Sequence, residues 1–430
     1  MRDVFAQVFS NLRANKLRSF LTMFGILWGV ISVVILSATG EGFRRGNQHV
    51  LEELGKNIAI VWGSRTSAQA GGQRAGRQIF LTVDDARALA RESSMIAVVS
   101  PEIQRSLTVK SLYNSATLGA MGIEPQYQFI RTIDIEHGRN FRFTDEAGAL
   151  RVAIIGADAT SQLFGTRDSI GQTVEVNGLP FTVIGKIRKK DQDSNYSGPD
   201  NDKIFIPFAT MQRDFPRLGV NPGVVSDIIV APYPWVIDQL PSILDHRTTR
   251  IDDIDWPLQR EVRRILARRH GFESDDRRAI DMWDTSLQSL MFGRMIQTMK
   301  SFFSMVGIVT LALGGLGVMN IMLVAVRERT REIGVRKALG ATTRQIERQF
   351  FLEGFLLTMM SGALGFAAAL GLCALVNLLP MPARFEGMVL TWQSGATAVV
   401  VLTLIGIVTS TYPARRAAQL PPVEALRFEM

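Results

Sequence analysis

Ser19-Phe-Leu-Thr-Met-Phe-Gly-Ile-Leu-Trp-Gly-Val-Ile-Ser-Val-Val-Ile-Leu-Ser-Ala-Thr-Gly40 contains no charged side chain. At a rise of about 1.5 Å per residue, roughly 20 apolar residues cross the hydrocarbon core of a bilayer. Three further uncharged runs follow, at positions 301–326, 354–383 and 387–414, each longer than the first. Each is long enough to span, so the sequence predicts four transmembrane helices and excludes a soluble globular protein. The chain of 430 residues is 47% hydrophobic and 20% charged, too long for one compact domain and too apolar for disorder. One cysteine, Cys373, excludes a disulfide framework and a cysteine-based zinc site. The four histidines lie far apart in sequence and form no local metal motif.

The charge is segregated. Residues 41–300 hold 33 basic and 32 acidic side chains, and the rest of the chain holds 15 basic and 8 acidic. The basic surplus therefore belongs to the membrane flanks, which argues against nucleic-acid binding by a basic folded face. Lysine and arginine mark the cytoplasmic side of spanning helices. They cluster before the first run (Arg2, Arg13, Lys16, Arg18), between the second and third (Arg327 to Arg348), and after the fourth (Arg415, Arg416, Arg427). The N-terminus, the middle loop and the C-terminus are expected to be cytoplasmic, in a multi-pass protein of the inner or plasma membrane. A cleaved signal peptide is the alternative for the first run; its apolar stretch is longer than the usual signal core.

The segment 41–300 reads as mixed α/β. Val- and Ile-rich runs at residues 58–61, 152–155, 173–176, 181–184, 204–206 and 227–230 read as strands. Asn177-Gly178 between two of them is a hairpin turn signal. Residues 83–91 and 261–269 read as helices, with Thr82 as N-cap and Asp84 and Asp85 in the first turn of the former. Residues 64–77 and 189–202, rich in Gly, Ser, Asn or charge, read as mobile. Ala70-Gly-Gly-Gln-Arg74 is close to an ABC ATPase signature loop, but no G-x-x-x-x-G-K-[ST] phosphate loop occurs in the chain, and the match is rejected. There is no G-x-S-x-G elbow and no H-E-x-x-H. The carboxylates Asp252, Asp253, Asp255, Asp275 and Asp276 read as solvated loops, and His270 as a cation at a helix end. No enzyme, resident cofactor or metal is expected.

Helical spacing continues from Thr285 into the second uncharged run without a proline, which predicts one helix made of an external stalk and the span. Gly307, Gly314, Gly315 and Gly317 in the second span, and Gly362 and Gly365 in the third, offer close helix packing within the chain or with a partner copy. No Asp, Glu, Lys, Arg or His interrupts the four runs, which argues against an ion-coupled transporter.

The middle loop places Ile333, Val335 and Leu339 among Glu328, Arg331, Glu332, Arg336 and Lys337. A loop that only sets topology needs basic residues but no apolar set; a docking helix needs both. Gly340 is a helix stop and Thr342 a start. The segment R-E-R-T-R-E-I-G-V-R-K-A-L-G-A at residues 327–341 resembles the MacB/FtsX-type family of ABC transporter membrane subunits. So do N-L-R-A-N-K-L-R-S-F-L-T at 11–22, G-G-L-G-V-M-N-I-M-L-V at 314–324 and P-A-R-R-A-A-Q-L-P-P-V-E-A-L-R at 413–427.

The resemblance implies a permease that forms a homodimer or heterodimer and pairs with ATP-binding ATPase domains. Glu328, Arg331, Glu332, Ile333, Arg336, Lys337 and Leu339 would rest against the ATPase, and the stalk would carry its motion outward by mechanotransmission. MacB itself carries a fused N-terminal ATPase. Here the first span already begins at Ser19, so a separate ATPase chain is expected. A periplasmic adaptor and an outer-membrane channel are expected in a two-membrane cell, with lipid around the helices and no nucleic acid. The alternatives are a Lol-type lipoprotein-releasing permease and an FtsX-like regulator of a cell-wall hydrolase. The expected organisation is a cytoplasmic segment 1–18, a span 19–40, an extracytoplasmic MacB-like domain 41–284 with an inserted subdomain at 122–225, and a stalk and span 285–326. A coupling loop 327–353, a span 354–379, an external turn 380–390, a span 391–412 and a tail 413–430 complete it.

Overall fold

A computed structural model describes residues 16–55, 57–190, 196–217, 219, 221–243, 256–382, 384–422 and 425. Most of the segment 1–18, the carboxylates Asp252, Asp253 and Asp255, and residues 191–195 of the stretch read as mobile lie outside the described residues. The chain divides into two compact units, one of Met1–Gly46 with Arg294–Met430 and one of Asn47–Gly293.

Among its described residues the α/β unit carries ten strands: β1 (Ala59–Gly63), β2 (Ile96–Lys110), β3 (Ser115–Ile123), β4 (Ile135–Gly138), β5 (Val152–Ile155), β6 (Thr173–Val176), β7 (Leu179–Ile187), β8 (Lys203–Pro207), β9 (Asp227–Pro232) and β10 (Ile280–Asp284). Their order in the sheet is β10-β1-β9-β2-β3-β8-β5-β7-β4, with β6 paired to both β2 and β7. That last pairing closes a cycle. β2, β3, β8, β5, β7 and β6 are each hydrogen-bonded to the next, with β3–β8 and β5–β7 parallel and the other pairs antiparallel. The ring joins β2 and most of β3, which precede Gly122, to β5 through β8, which follow it. Alternation then decides what is buried: Ile204 and Ile206 of β8 join one core with Val109, Val174, Val176, Phe181 and Val183. Phe205 of the same strand points to the opposite face, against Ile58, Ile60, Met121, Tyr127 and Ile154.

Local chemistry explains the elements. Asn177 and Gly178, both at positive φ, make the two-residue turn between β6 and β7. The helix Val83–Glu92 starts with a capping box, in which Asp85 Oδ2 accepts from Thr82 N at 2.8 Å. The helix Pro257–His270 starts with proline in its first turn and ends at Gly271 in the left-handed conformation. Residues 64–77 are tied into the unit. Asp276 accepts from Ser67 N and Oγ at 2.6 Å each, and Arg77 donates to His270 O. Asp276 is thus a buried loop clasp instead of a solvated carboxylate. His270 Nε2 lies 2.8 Å from Asp85 Oδ2, a pairing between two helices.

Among the described residues the other unit holds four helices long and apolar enough to cross a membrane: Lys16–Leu54, Thr285–Glu328, Thr343–Val376 and Trp392–Ala418. The first two continue along the chain into the α/β unit without a break. Glycines set the packing. A Cβ on Gly314 would stand 2.7 Å from the Gly25 carbonyl carbon, so the first two helices touch backbone to backbone. A Cβ on Gly307 would meet Val33 at 2.1 Å, on Gly315 Thr409 at 2.7 Å, on Gly362 Leu402 at 2.0 Å, and on Gly365 Leu27 O at 2.7 Å. Gly317 is half-buried. These are contacts within one chain, of the kind that small residues allow in lipid.

Candidate coupling surface and helix roots

The middle loop is a short helix, Thr330–Ala338, between the second and third long helices. Gly340, at φ +98°, ends it, and Thr342 caps the next helix in a box with Gln345. The helical period sorts the loop residues by face. Ile333 is 1% exposed and packs in the core with Val326, Ile346 and Phe350. Lys337, on the same side, donates from Nζ to Ala418 O and to Leu420 O (2.9 Å). A cation is favourable there, because the last carbonyls of the fourth helix carry partial negative charge. Arg336 donates to Gln349 Oε1 at 3.0 Å, and Arg329 pairs with the buried Glu353 at 3.4 Å. Turned the other way are Glu328, Arg331, Glu332, Val335 and Leu339, all exposed, with Leu339 at 84%. Arg331, Val335 and Leu339 stand at i, i+4 and i+8, a charged and apolar stripe on one side of the helix.

A second constellation lies inside the α/β unit, where the two longest helices enter it. At the end of the first helix, Thr132 Oγ1 donates to Glu52 O at 3.0 Å and Lys190 Nζ to Glu53 O at 3.3 Å. Thr132 holds φ +47°, an uncommon place for a β-branched residue. Lys190 belongs to a buried cluster centred on Asp200. Asp200 meets Arg131 Nη2 at 3.2 Å, Lys190 Nζ at 3.3 Å and Lys203 Nζ at 3.1 Å. Burial alone would raise the Asp200 carboxyl; Arg131, Lys203 and Lys190 outweigh it and hold it well below the ordinary carboxylate range. Burial in turn lowers Lys190 and Lys203. Tyr196 lies under Arg131, 5.1 Å from its guanidinium carbon, and donates to Glu102 at 2.6 Å. Its ring meets Trp283 of β10 edge-on at 6.5 Å.

At the other root, β10 passes directly into the Thr285 helix. Asp284 caps that helix, with Oδ1 accepting from Ser286 N at 2.9 Å and Leu287 N at 3.0 Å, while Trp256 Nε1 holds Oδ2 at 2.8 Å. Burial pushes the Asp284 carboxyl up. Thr285 Oγ1 accepts from Ile58 N and donates to Ile58 O, each at 3.0 Å. The roots are therefore pinned side by side, since β1 and β10 pair as Ala59↔Asp284. Arg131, Lys190, Asp200, Lys203 and Asp284 are buried, and a buried network of this kind fixes the position of the groups it joins.

The chain matches the family model described as MacB-like periplasmic core domain over residues 19–234, and that described as FtsX-like permease C-terminal over residues 304–422. It is 30% identical over 422 residues to the uncharacterized ABC transporter permease YknZ of Bacillus subtilis, covering 98% of this chain and 97% of that protein. The chain belongs to the MacB/FtsX-like family of ABC transporter permeases. The permease is also 32% identical over 432 residues to the macrolide export ATP-binding/permease protein MacB of Bdellovibrio bacteriovorus, covering 98% of this chain and spanning 61% of that protein. Among solved structures, the extracellular domain of the noncanonic ABC-type transporter YknZ from Gram-positive bacteria is 19% identical, with a TM-score of 0.40 over 53% of this chain and all of that one.

Of the permease's seven loop residues singled out by sequence, four are exposed (Glu328, Arg331, Glu332 and Leu339), Arg336 and Lys337 are half-buried, and Ile333 is buried. Val335 completes the exposed stripe. Sequence reasoning missed the Asp200 cluster altogether. The signal for it was the mixture of Lys, Asp and Tyr in the stretch 189–202, which reads as mobile in sequence although Lys190 and Asp200 are buried.

Proposed function

We propose that this permease is the membrane subunit of an ABC transporter in which a separate ATPase chain docks on the middle loop. ATP hydrolysis there drives a conformational change in an extracytoplasmic α/β unit, and this change exports cargo without a path through the helix bundle. The observation that carries the reading is the exposed stripe Arg331, Glu332, Val335 and Leu339 on a helix locked from behind by Ile333 and Lys337. Such a face combines charge for orientation with apolar area for affinity. Membership in an ABC permease family implies an ATPase partner, and MacB of Bdellovibrio bacteriovorus carries export and ATP binding in its name. The excess of Lys and Arg beside the middle loop and at both ends supports a cytoplasmic face there, with both termini inside. The long helices Lys16–Leu54 and Thr285–Glu328, continuous into the α/β unit, suit mechanotransmission. The expected assembly is a dimer of permeases with two ATPases, joined in a two-membrane envelope by a periplasmic adaptor and an outer-membrane channel.

The test uses the exposed face. In detergent-purified complexes, Glu332→Arg and Leu339→Asp together should reduce ATPase recovery by on the order of tenfold or more, while permease yield and helicity hold. Ile333→Asp should instead lower permease yield, because it buries a charge. Wild-type ATPase recovery with the exposed pair of changes would sink the docking assignment.

A further inference from the structure

In the α/β unit a small cleft of about 30 Å³ opens between the middle of β2 and the loop after the helix Phe208–Asp214. Its volume holds about two water-sized groups, which is the size of a carboxylate head. Two guanidinium groups, those of Arg105 and Arg217, line it, and none of its lining residues is acidic. Arg105 shares its strand face with Ile103, so it points away from Glu102 and from Gln104, whose amide is engaged with Asp227. Among the described residues, neither arginine meets a carboxylate within ion-pair distance. Arg105 Nη1 is engaged by the carbonyl of Gln104 at 2.8 Å, but its Nε is buried and has no acceptor. A buried N–H left without a partner is costly, and two unneutralised guanidiniums facing one cleft repel. Burial, and after it the Arg217 charge, lower the proton affinity of Arg105, the direction expected where a counter-anion is missing. Ile103, Phe215 and Pro222 supply apolar walls.

We propose that this cleft binds a carboxylate, clamped between Arg105 and Arg217. A guanidinium presents paired N–H donors that match the two oxygens of a carboxylate. The apolar walls suit the methylene groups behind an Asp or Glu side chain. A free carboxylate anion would offer the same head group, and the experiment distinguishes the two sources.

The full-length permease in nanodiscs is unfolded thermally in sodium acetate and in sodium chloride at equal ionic strength. At ten times its dissociation constant, acetate should raise the unfolding midpoint of the α/β unit by about 3–6 °C beyond chloride. Arg217→Gln, at an exposed position that leaves folding intact, should abolish that rise, and Arg105→Gln should do the same. Acetate no better than chloride, or an equal acetate shift in Arg217→Gln, would overturn the proposal. N-acetyl-Gly-Glu-Gly-amide is then set against its Gln counterpart. A shift from the Glu peptide at a concentration well below that of acetate identifies a protein-borne carboxylate. Equal concentrations identify a free one. No shift from either peptide or acetate overturns the site.

Discussion

The two units of this permease each cohere by opposite means. The membrane unit packs through side chains that are missing. Gly314 lies on Gly25, and Gly362 receives Leu402. The α/β unit packs through side chains that are expensive to bury: Arg131, Lys190 and Lys203 around Asp200. In lipid there is no gain from hiding apolar surface from water, so close contact must supply the attraction, and glycine permits it. In a water-bathed unit, apolar burial is the driving force. Such a unit can tolerate a buried ion cluster, provided every charge finds its partner. Here Arg131, Lys190 and Lys203 all meet the one carboxylate of Asp200.

Four measurements press on that contrast. The largest loss on substitution belongs to Asp200→Ala, which leaves Arg131, Lys190 and Lys203 without that carboxylate. Loss of about 3–5 kcal/mol is expected in urea unfolding followed by fluorescence of Trp256 and Trp283. An unchanged midpoint would mean the cluster is solvated. Next is Gly362→Leu, which drives a side chain into Leu402 and should cost about 1–3 kcal/mol in mixed-micelle denaturation. Gly371→Leu, where a Cβ meets nothing within 4 Å, should cost close to nothing. Equal effects at the two positions would erase the distinction between the units.

The third test is pH. Burial and the neighbouring Glu102 carboxylate push Asp227 up to about 9. Folded Asp227 thus keeps a proton that the unfolded chain releases near pH 4, so stability falls as pH rises from about 5 to 9. The slope is at most about 1.4 kcal/mol per pH unit. Asp227→Asn should flatten that slope, and an unaltered slope would assign it to other groups. The smallest effect is that of Lys337→Ala. Losing the hydrogen bonds to Ala418 O and Leu420 O should cost about 1 kcal/mol and speed amide exchange at the end of the fourth helix.

What the sequence made legible follows from the same contrast. The four long helices are visible because lipid excludes charge, and an uncharged run as long as Ser19–Gly40 has few other meanings. The β6–β7 hairpin and the Thr82 cap are visible because turn and cap chemistry is local. β2 and β3, two of the longest strands, are not. Ser100 and Glu102 are fully buried polar residues in the middle of β2 and break its apolar alternation, and a register shift falls between Ile96 and Val98. The Asp200 cluster is hidden because its charges come from residues 131, 190, 200 and 203, and sequence spacing carries no sign that they converge. In the middle loop the residue types are legible, but the side each one faces is not. Ile333 and Leu339 look equally available in sequence, and the structure buries one and exposes the other.

The grip of Lys337 on the end of the fourth helix gives the middle loop the mechanics of a bracket. The loop helix is fixed at one side through Ile333, at its start by the Arg329–Glu353 pair, and at its far end to the carbonyls of Ala418 and Leu420. A part clamped at three points has little compliance of its own. Under the proposed docking, a displacement applied at Leu339 would be passed through these three contacts to the ends of the second, third and fourth helices together.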